Sequence, residues 1–354
     1  MRLYHIKRRS KLKKTIDYTL DFMKELLLTP SPTGYTDDAI NFVKDAFDKL
    51  GIETKLTYKR ALIATIPGES DEAITFSGHV DTLGAMVKSI KADGRLQFHR
   101  IGAYPFNTVE GEYVVVKTME GKEYSGTITL NNSSVHVHPE EIAKGERNAD
   151  TMSIRLDEMV ETDEDIEKLG INVGDFIFLD TRTVFTESGF IKSRHLDDKA
   201  GVACIVGLAK LLVEENIKPK RTIHFLISNY EEVGHGASVI PENTKDFIAV
   251  DMAAPDTGQN SKETHVTICA MDSSGAYDLE IRKQLVELAT ETEIDYTIDI
   301  YPFYGSDGSA ALIAGHEIRV GLIGPGVASS HTFERTHKKA IKNTIKLMYQ
   351  FATK

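Results

Sequence analysis

The first regular pattern in the chain is an apolar stripe at helical spacing. In KKTIDYTLDFMKELL, Ile16, Leu20, Met23 and Leu27 share one face, and the following TPSPTG ends the helix with proline and glycine. A second helix is predicted over TDDAINFVKDAFDKLG, closing at Gly51. The segments ALIATIPG and EAITFSGHVD are short apolar runs bounded by turn residues, which predicts strands and begins a helix-strand alternation. From about Ala85 to about Val184 the texture changes. EYVVVKTMEG, YSGTITL and DFIFLD alternate and are separated by Gly, Asn and Pro, so this part is predicted to be a β-rich insert. Beyond it, HLDDKAGVACIVGLAKLLVEEN predicts a long helix, RTIHFLISN and DFIAVDMA buried strands, and FERTHKKAIKNTIKLMYQFAT a closing helix. The pattern predicts one α/β domain in two pieces, residues 1–84 and 185–354, around an inserted β domain at 85–184.

Composition narrows the chemistry. The 354 residues are 41% hydrophobic and 27% charged, ordinary for a globular chain, and no run approaches the roughly 18 apolar residues of a membrane span, so a membrane partner is not expected. The basic start, MRLYHIKRRSKLKK, lacks the apolar run of a secretory signal and is expected to be a solvated lead-in to the first helix, which points to the cytoplasm. A net charge of −11 argues against nucleic acid. Only Cys204 and Cys269 are present, without partner spacing, so any metal is held by nitrogen and oxygen.

Those donors collect at predicted strand ends: His79 and Asp81 in GHVD, Asp197 and Asp198 in HLDD, Glu231 and Glu232 in YEE, Asp251 in VDMA, and His331 in SSHTFE. In an open α/β sheet the ligand crevice lies beyond the carboxyl ends of the strands. Two histidines with several carboxylates suit zinc, cobalt or manganese and are enough for one ion or two. The adjacent Glu231 and Glu232 point to opposite faces if extended, so one can coordinate metal while its neighbour serves as general base; spacing alone leaves open which does which. Asp81, two residues from His79, is placed to accept that histidine's second ring N–H.

With these five motifs in order, nearly the whole chain resembles the co-catalytic zinc aminopeptidases, among them the tetrahedral, glutamyl and bacterial deblocking aminopeptidases. The resemblance implies a mixed-sheet, phosphorylase/hydrolase-like zinc-peptidase domain interrupted by a β-barrel-like domain for assembly and substrate access. It implies two divalent metal ions, zinc with cobalt or manganese as alternatives, bridged by Asp197. His79 and Asp251 would complete one site, Glu232 and His331 the other; Glu231 would be the general base and Asp81 the orienting carboxylate. A cis Asp197–Asp198 bond, peptide substrates and a homo-oligomer, from dimer to dodecamer, are further implications. In YPFYGSDGSAAL, Gly305, Ser306 and Asp307 would lie beside the substrate, with Asp307 alternatively capping the next helix.

One position departs from the family pattern: Thr82 follows Asp81 where many relatives carry an acid. The remaining candidates, His136, His138, His195, His235, His265 and His337, lack carboxylate sets and are not expected to bind metal; His235 is expected nearest the pocket. Three other functions compete with the aminopeptidase. Glycoside hydrolysis uses paired carboxylates but gives no reason for the histidines, and the chain has no Trp for a sugar platform. Deacylases or carboxypeptidases would need an Arg for a substrate carboxylate, absent from the motifs. A non-catalytic binding protein would have no need of a base beside its cage.

Overall fold

The computed structural model describes the backbone of residues 2–354 and side chains from residue 11 onward. The expected solvated character of the basic start lies outside the described side chains for residues 1–10, Lys11, Lys13 and Lys14 after them are exposed, and its backbone from Arg2 already belongs to the Arg2–Leu28 helix.

The two flanking pieces of the chain build a nine-stranded mixed sheet. Its centre is parallel: Arg221–Ser228, Ser70–His79, Thr244–Val250 and Arg319–Pro325 lie side by side. Antiparallel neighbours, Leu62–Ile66 on one side and Val266–Asp272 on the other, extend it. Parallel strands are buried on both faces, and successive residues serve different cores. Phe225 packs with Phe76, Ile205 and Ile345 under the long helices Arg2–Leu28, Leu196–Glu214 and Lys338–Thr353. Its neighbour Leu226 packs on the other face with Phe247, Ala249 and Leu322, beneath the short Asp307–Ile313 helix.

The insert closes on itself. Six strands, from Gly84–Ile90 to Phe176–Leu179, form a barrel around Phe98, Val114, Ile128, Ile154 and Ile177. The alternating Val-rich pattern is the direct cause, since every second residue faces the barrel interior.

The end of the chain departs from its pattern. FERTH does not begin the closing helix; Glu334–His337 is a strand paired antiparallel with Phe190–Ser193, and the helix starts at Lys338. The contiguous basic and apolar residues after it masked a four-residue strand whose buried positions include Glu334 and Thr336. That strand turns the His331 loop toward the sheet.

Candidate metal centre

The carboxyl ends of the parallel strands carry the site. The Ser70–His79 strand delivers a buried His79, Thr244–Val250 leads directly into Asp251, and Arg221–Ser228 leads into Glu231 and Glu232. Asp197 comes from the first turn of the Leu196–Glu214 helix, where the backbone at Asp197 and Asp198 is not helical and the bond between them is cis. Asp198 accepts hydrogen bonds from the backbone N–H groups of His79 (3.3 Å) and Gly201 (3.1 Å), tying strand to helix. Gly201 is required there, because a Cβ would lie 2.1 Å from the Val250 carbonyl oxygen.

Donor atoms of His79, Asp197 and Asp251 lie within 4.8 Å of one another, as do those of Asp197, Glu232 and His331. These are the two such groups among the described residues, and Asp197 belongs to both. One of its oxygens is 3.2 Å from His79 Nε2, the other 3.3 Å from His331 Nε2. The first approach is not aligned for a hydrogen bond, so His79 Nε2 is buried without a partner, and so is Glu232 Oε1. Buried polar atoms are normally paired. Two orphaned donor atoms aimed into an oxygen-nitrogen cage fit divalent cations.

Electrostatics agree with that fit. Burial drives the Glu231 and Glu232 carboxyls well above the usual range, with neighbouring carboxylates adding to the effect. Asp251 is pushed up to about 7 by burial and by the charge of Asp197. Burial acts to raise Asp197 too, but His331 and His79 hold it low. Carboxyls confined together resist joint ionisation unless positive charge is brought among them.

The two glutamates are not in extended strand; they open a 3-10 turn, Glu231–Val233. Asp81 sits beneath that turn, accepting from Glu231 N–H (3.1 Å) with one carboxylate oxygen and from Glu232 N–H (3.2 Å) and the Thr33 hydroxyl (2.8 Å) with the other. Its relation to His79 differs from expectation. The ring Nδ1 lies 2.9 Å from the Asp81 backbone carbonyl and 3.5 Å from the carboxylate, so the main chain is the closer acceptor and the carboxylate is occupied in aiming both glutamates. The turn separates their roles. Glu232 joins the His331 group, whereas Glu231, in neither group, lines the cavity with Oε2 3.7 Å from His79 Nε2.

Gly305 and Ser306 line the same cavity, of about 590 Å³. Asp307 does not. Its carboxylate accepts hydrogen bonds from Ser77 (2.8 Å) and Ser228 (2.6 Å) behind the site, and the cap of the Asp307–Ile313 helix is Ser306. His235 is also turned away from the cavity, stacked on Tyr230 and contacted by Lys59. The uncommitted histidine beside the cage is instead the buried His195, whose pKa burial and nearby cations hold well below the usual range.

Three supporting groups escaped sequence reasoning. Glu334, buried and pushed up to about 8 mainly by that burial, accepts from the backbone N–H of Asp197 (3.1 Å) and of His331 (3.2 Å). His331 Nδ1 is 2.6 Å from the carbonyl oxygen of Ala103, in the loop after the barrel strand Leu96–Ile101. Arg194, paired in a buried contact with Glu112 of the insert, donates to the Thr332 carbonyl at 2.9 Å. A carboxylate three residues after His331 was the one visible signal; the other two contacts join distant parts of the chain.

Comparison with known proteins identifies the family and the fold. The sequence profile of the M42 glutamyl aminopeptidase family fits residues 61–347. A putative aminopeptidase of Bacillus subtilis, YhfE, is 50% identical over 335 residues, covering 94% of this chain and 96% of its own. The lysyl aminopeptidase of Pyrococcus furiosus is 24% identical, covering 92% of this chain and 94% of its own. Among solved structures, the Pyrococcus horikoshii TET1 peptidase, described as assembling into a tetrahedron or a large octahedral shell, has the same fold. Its TM-score is 0.81 at 20% identity, over 95% of this chain and 99% of that one. The chain belongs to the M42 glutamyl aminopeptidase family and is a metal-dependent aminopeptidase.

Proposed function

We propose that the site is a dinuclear centre which removes single residues from the free N-terminus of peptides. The observation that carries this reading is the pair of donor groups sharing Asp197, with Glu231 left outside both at the cavity wall. His79 and Asp251 would hold one ion and Glu232 and His331 the other, with zinc the expected metal and cobalt or manganese able to replace it. Bound there, the cations would lower the pKa of a water and polarise the scissile carbonyl. Glu231 takes the proton from the attacking water and returns it to the leaving amine. Burial holds its carboxyl well above the usual carboxylate range, the direction expected of a group that must also give the proton back. Asp81 fixes the turn that aims it. The cage carboxylates also offer the negative surface that a substrate ammonium needs.

By analogy with the shell-forming relative the chain is assigned to a homo-oligomer; the insert at 85–184 is assigned to that assembly and to substrate access, and the protein to the cytoplasm, as the sequence resemblance and the basic start imply. Among the described residues no helix is long and apolar enough to cross a membrane.

The test is hydrolysis of free and N-acetylated aminoacyl p-nitroanilides by metal-stripped protein, before and after adding zinc, cobalt or manganese, with metal counted per chain. The expected result is restored release from free N-termini only, at two ions per chain. Full activity after thorough chelation, or equal cleavage of acetylated substrates, sinks the reading.

A further inference from the structure

We propose that the cavity beside the cage selects neutral, apolar N-terminal side chains, and not the acidic or basic ones for which the family and one relative are named. This rests on the aminopeptidase reading of the site. The first support is the charge inventory. The acids lining the cavity are Asp197, Glu232 and Asp251 of the cage and the neighbouring Glu231, and no Lys or Arg among the described residues lines it.

The second support is where the remaining polar groups point. The Ser273 hydroxyl donates to the Tyr304 carbonyl at 2.7 Å and that of Ser274 to Asp272 at 2.6 Å. Ser309 donates to the Ser306 carbonyl at 2.9 Å, and the Gln259 amide to the Ile300 carbonyl at 2.9 Å. The Tyr301 hydroxyl is engaged with Ser261. With these donors committed to the protein, the rest of the cavity lining includes the apolar Ala254, Pro302, Phe303, Ala310 and Ile313. Phe303 is fully exposed and Ile313 is 82% exposed, two large apolar side chains lining one cavity with little packed over them.

A glutamate or lysine side chain entering this space gives up water and meets no counter-charge, because the cage carboxylates are committed to the cations and to the substrate's own ammonium. A leucine, methionine or phenylalanine side chain finds an apolar wall and a cavity of about 590 Å³, large enough for it.

The experiment uses the full, metal-loaded chain with leucyl, methionyl, phenylalanyl, glutamyl and lysyl p-nitroanilides. The expected kcat/KM for the three apolar substrates exceeds that for glutamyl and lysyl by about tenfold or more. Parity, or a preference for either charged residue, overturns the proposal. Binding of leucine, glutamate and lysine hydroxamates, followed by calorimetry, reads the same pocket without turnover. Tighter leucine hydroxamate with no hydrolysis of any substrate retains the selectivity and rejects the aminopeptidase reading; equal binding, or none, rejects the selectivity. In Ile313→Lys the glutamyl-to-leucyl ratio of kcat/KM is expected to rise about tenfold, and an unchanged ratio removes Ile313 from the pocket wall.

Discussion

His79 and His331 bring the same ring to opposite oxygens of Asp197, but on very different supports. The His79 side chain, 1% exposed, ends a central parallel strand, and its second nitrogen is held two residues away by the Asp81 main chain. His331 is 35% exposed, lies in a loop with positive φ at both Ser329 and His331, and is oriented by a carbonyl 228 residues earlier in the chain, in the insert. Two halves of one cage are thus stabilised by different means. The first is fixed by sheet hydrogen bonds and core packing; the second depends on the docking of the barrel through Ala103, Glu112 and Arg194. Local opening follows the weaker support, so the His331 half is expected to release metal first.

The comparison can be broken at several points. The largest effect is expected from Asp197→Ala, which removes the residue common to both halves. Metal analysis should find neither ion retained and hydrolysis abolished; retention of one ion would show that the halves do not depend on a shared ligand. Next in size is Glu231→Gln, which should keep the fold and the full metal content while kcat falls by about 10²–10⁴-fold. Near-normal turnover would reassign the base.

Arg194→Ala tests the asymmetry itself. Removing Arg194 leaves the buried Glu112 with only the half-exposed Arg182, at 3.1 Å, as its counter-charge and costs up to about 3 kcal/mol. Thermal unfolding should shift down, and stepwise chelation should strip the His331 half at lower chelator concentration while the His79 half retains its ion. Equal weakening of both halves would refute the division of labour.

The smallest effect is a pH dependence of the metal-free protein. Burial raises Asp251 to about 7 and Glu334 to about 8, so the folded state binds protons that the unfolded state has released. The stability they contribute is present below their unfolded values near 4 and is lost as pH rises through 7 and 8. Glu231 and Glu232 act in the same direction. His195, held low by burial, opposes them below its usual pKa, and Lys199, lowered by burial to about 7, opposes them above that value. The carboxyls outnumber these two groups, so the melting temperature should fall by several degrees from pH 5 to pH 7 and recover when metal is added. A rise over that interval would contradict the crowded-carboxyl account.

Much of this site was legible because its donors sit where elementary patterns break. GHVD and YEE each end an apolar run, and an acid or imidazole at a buried strand's end has few roles other than a cap, a turn or a ligand. The β-rich insert was legible for the same reason, since its period-2 alternation is local. FERTH was misread because a four-residue strand carries too little pattern to stand against the helix that follows it. Asp307 was misplaced because a polar residue at a helix start looks the same whether it faces a cavity or, as here, Ser77 and Ser228 beneath it.

The sequence by itself determined which side chains are available, that nitrogen and oxygen rather than sulfur form the donor set, and that two pieces of an α/β domain flank a β insert. Tertiary structure alone decided that Asp197 faces both histidines, that Asp81 turns its carboxylate to the backbone of Glu231 and Glu232, and that the barrel reaches back to His331. The physical reason is range. Periodicity and propensity act over a few residues, whereas Asp81 and Glu231 are 150 residues apart, Ala103 and His331 are 228 apart, and Asp197 lies far along the chain from both histidines, so only the folded sheet and the docked barrel bring these atoms together.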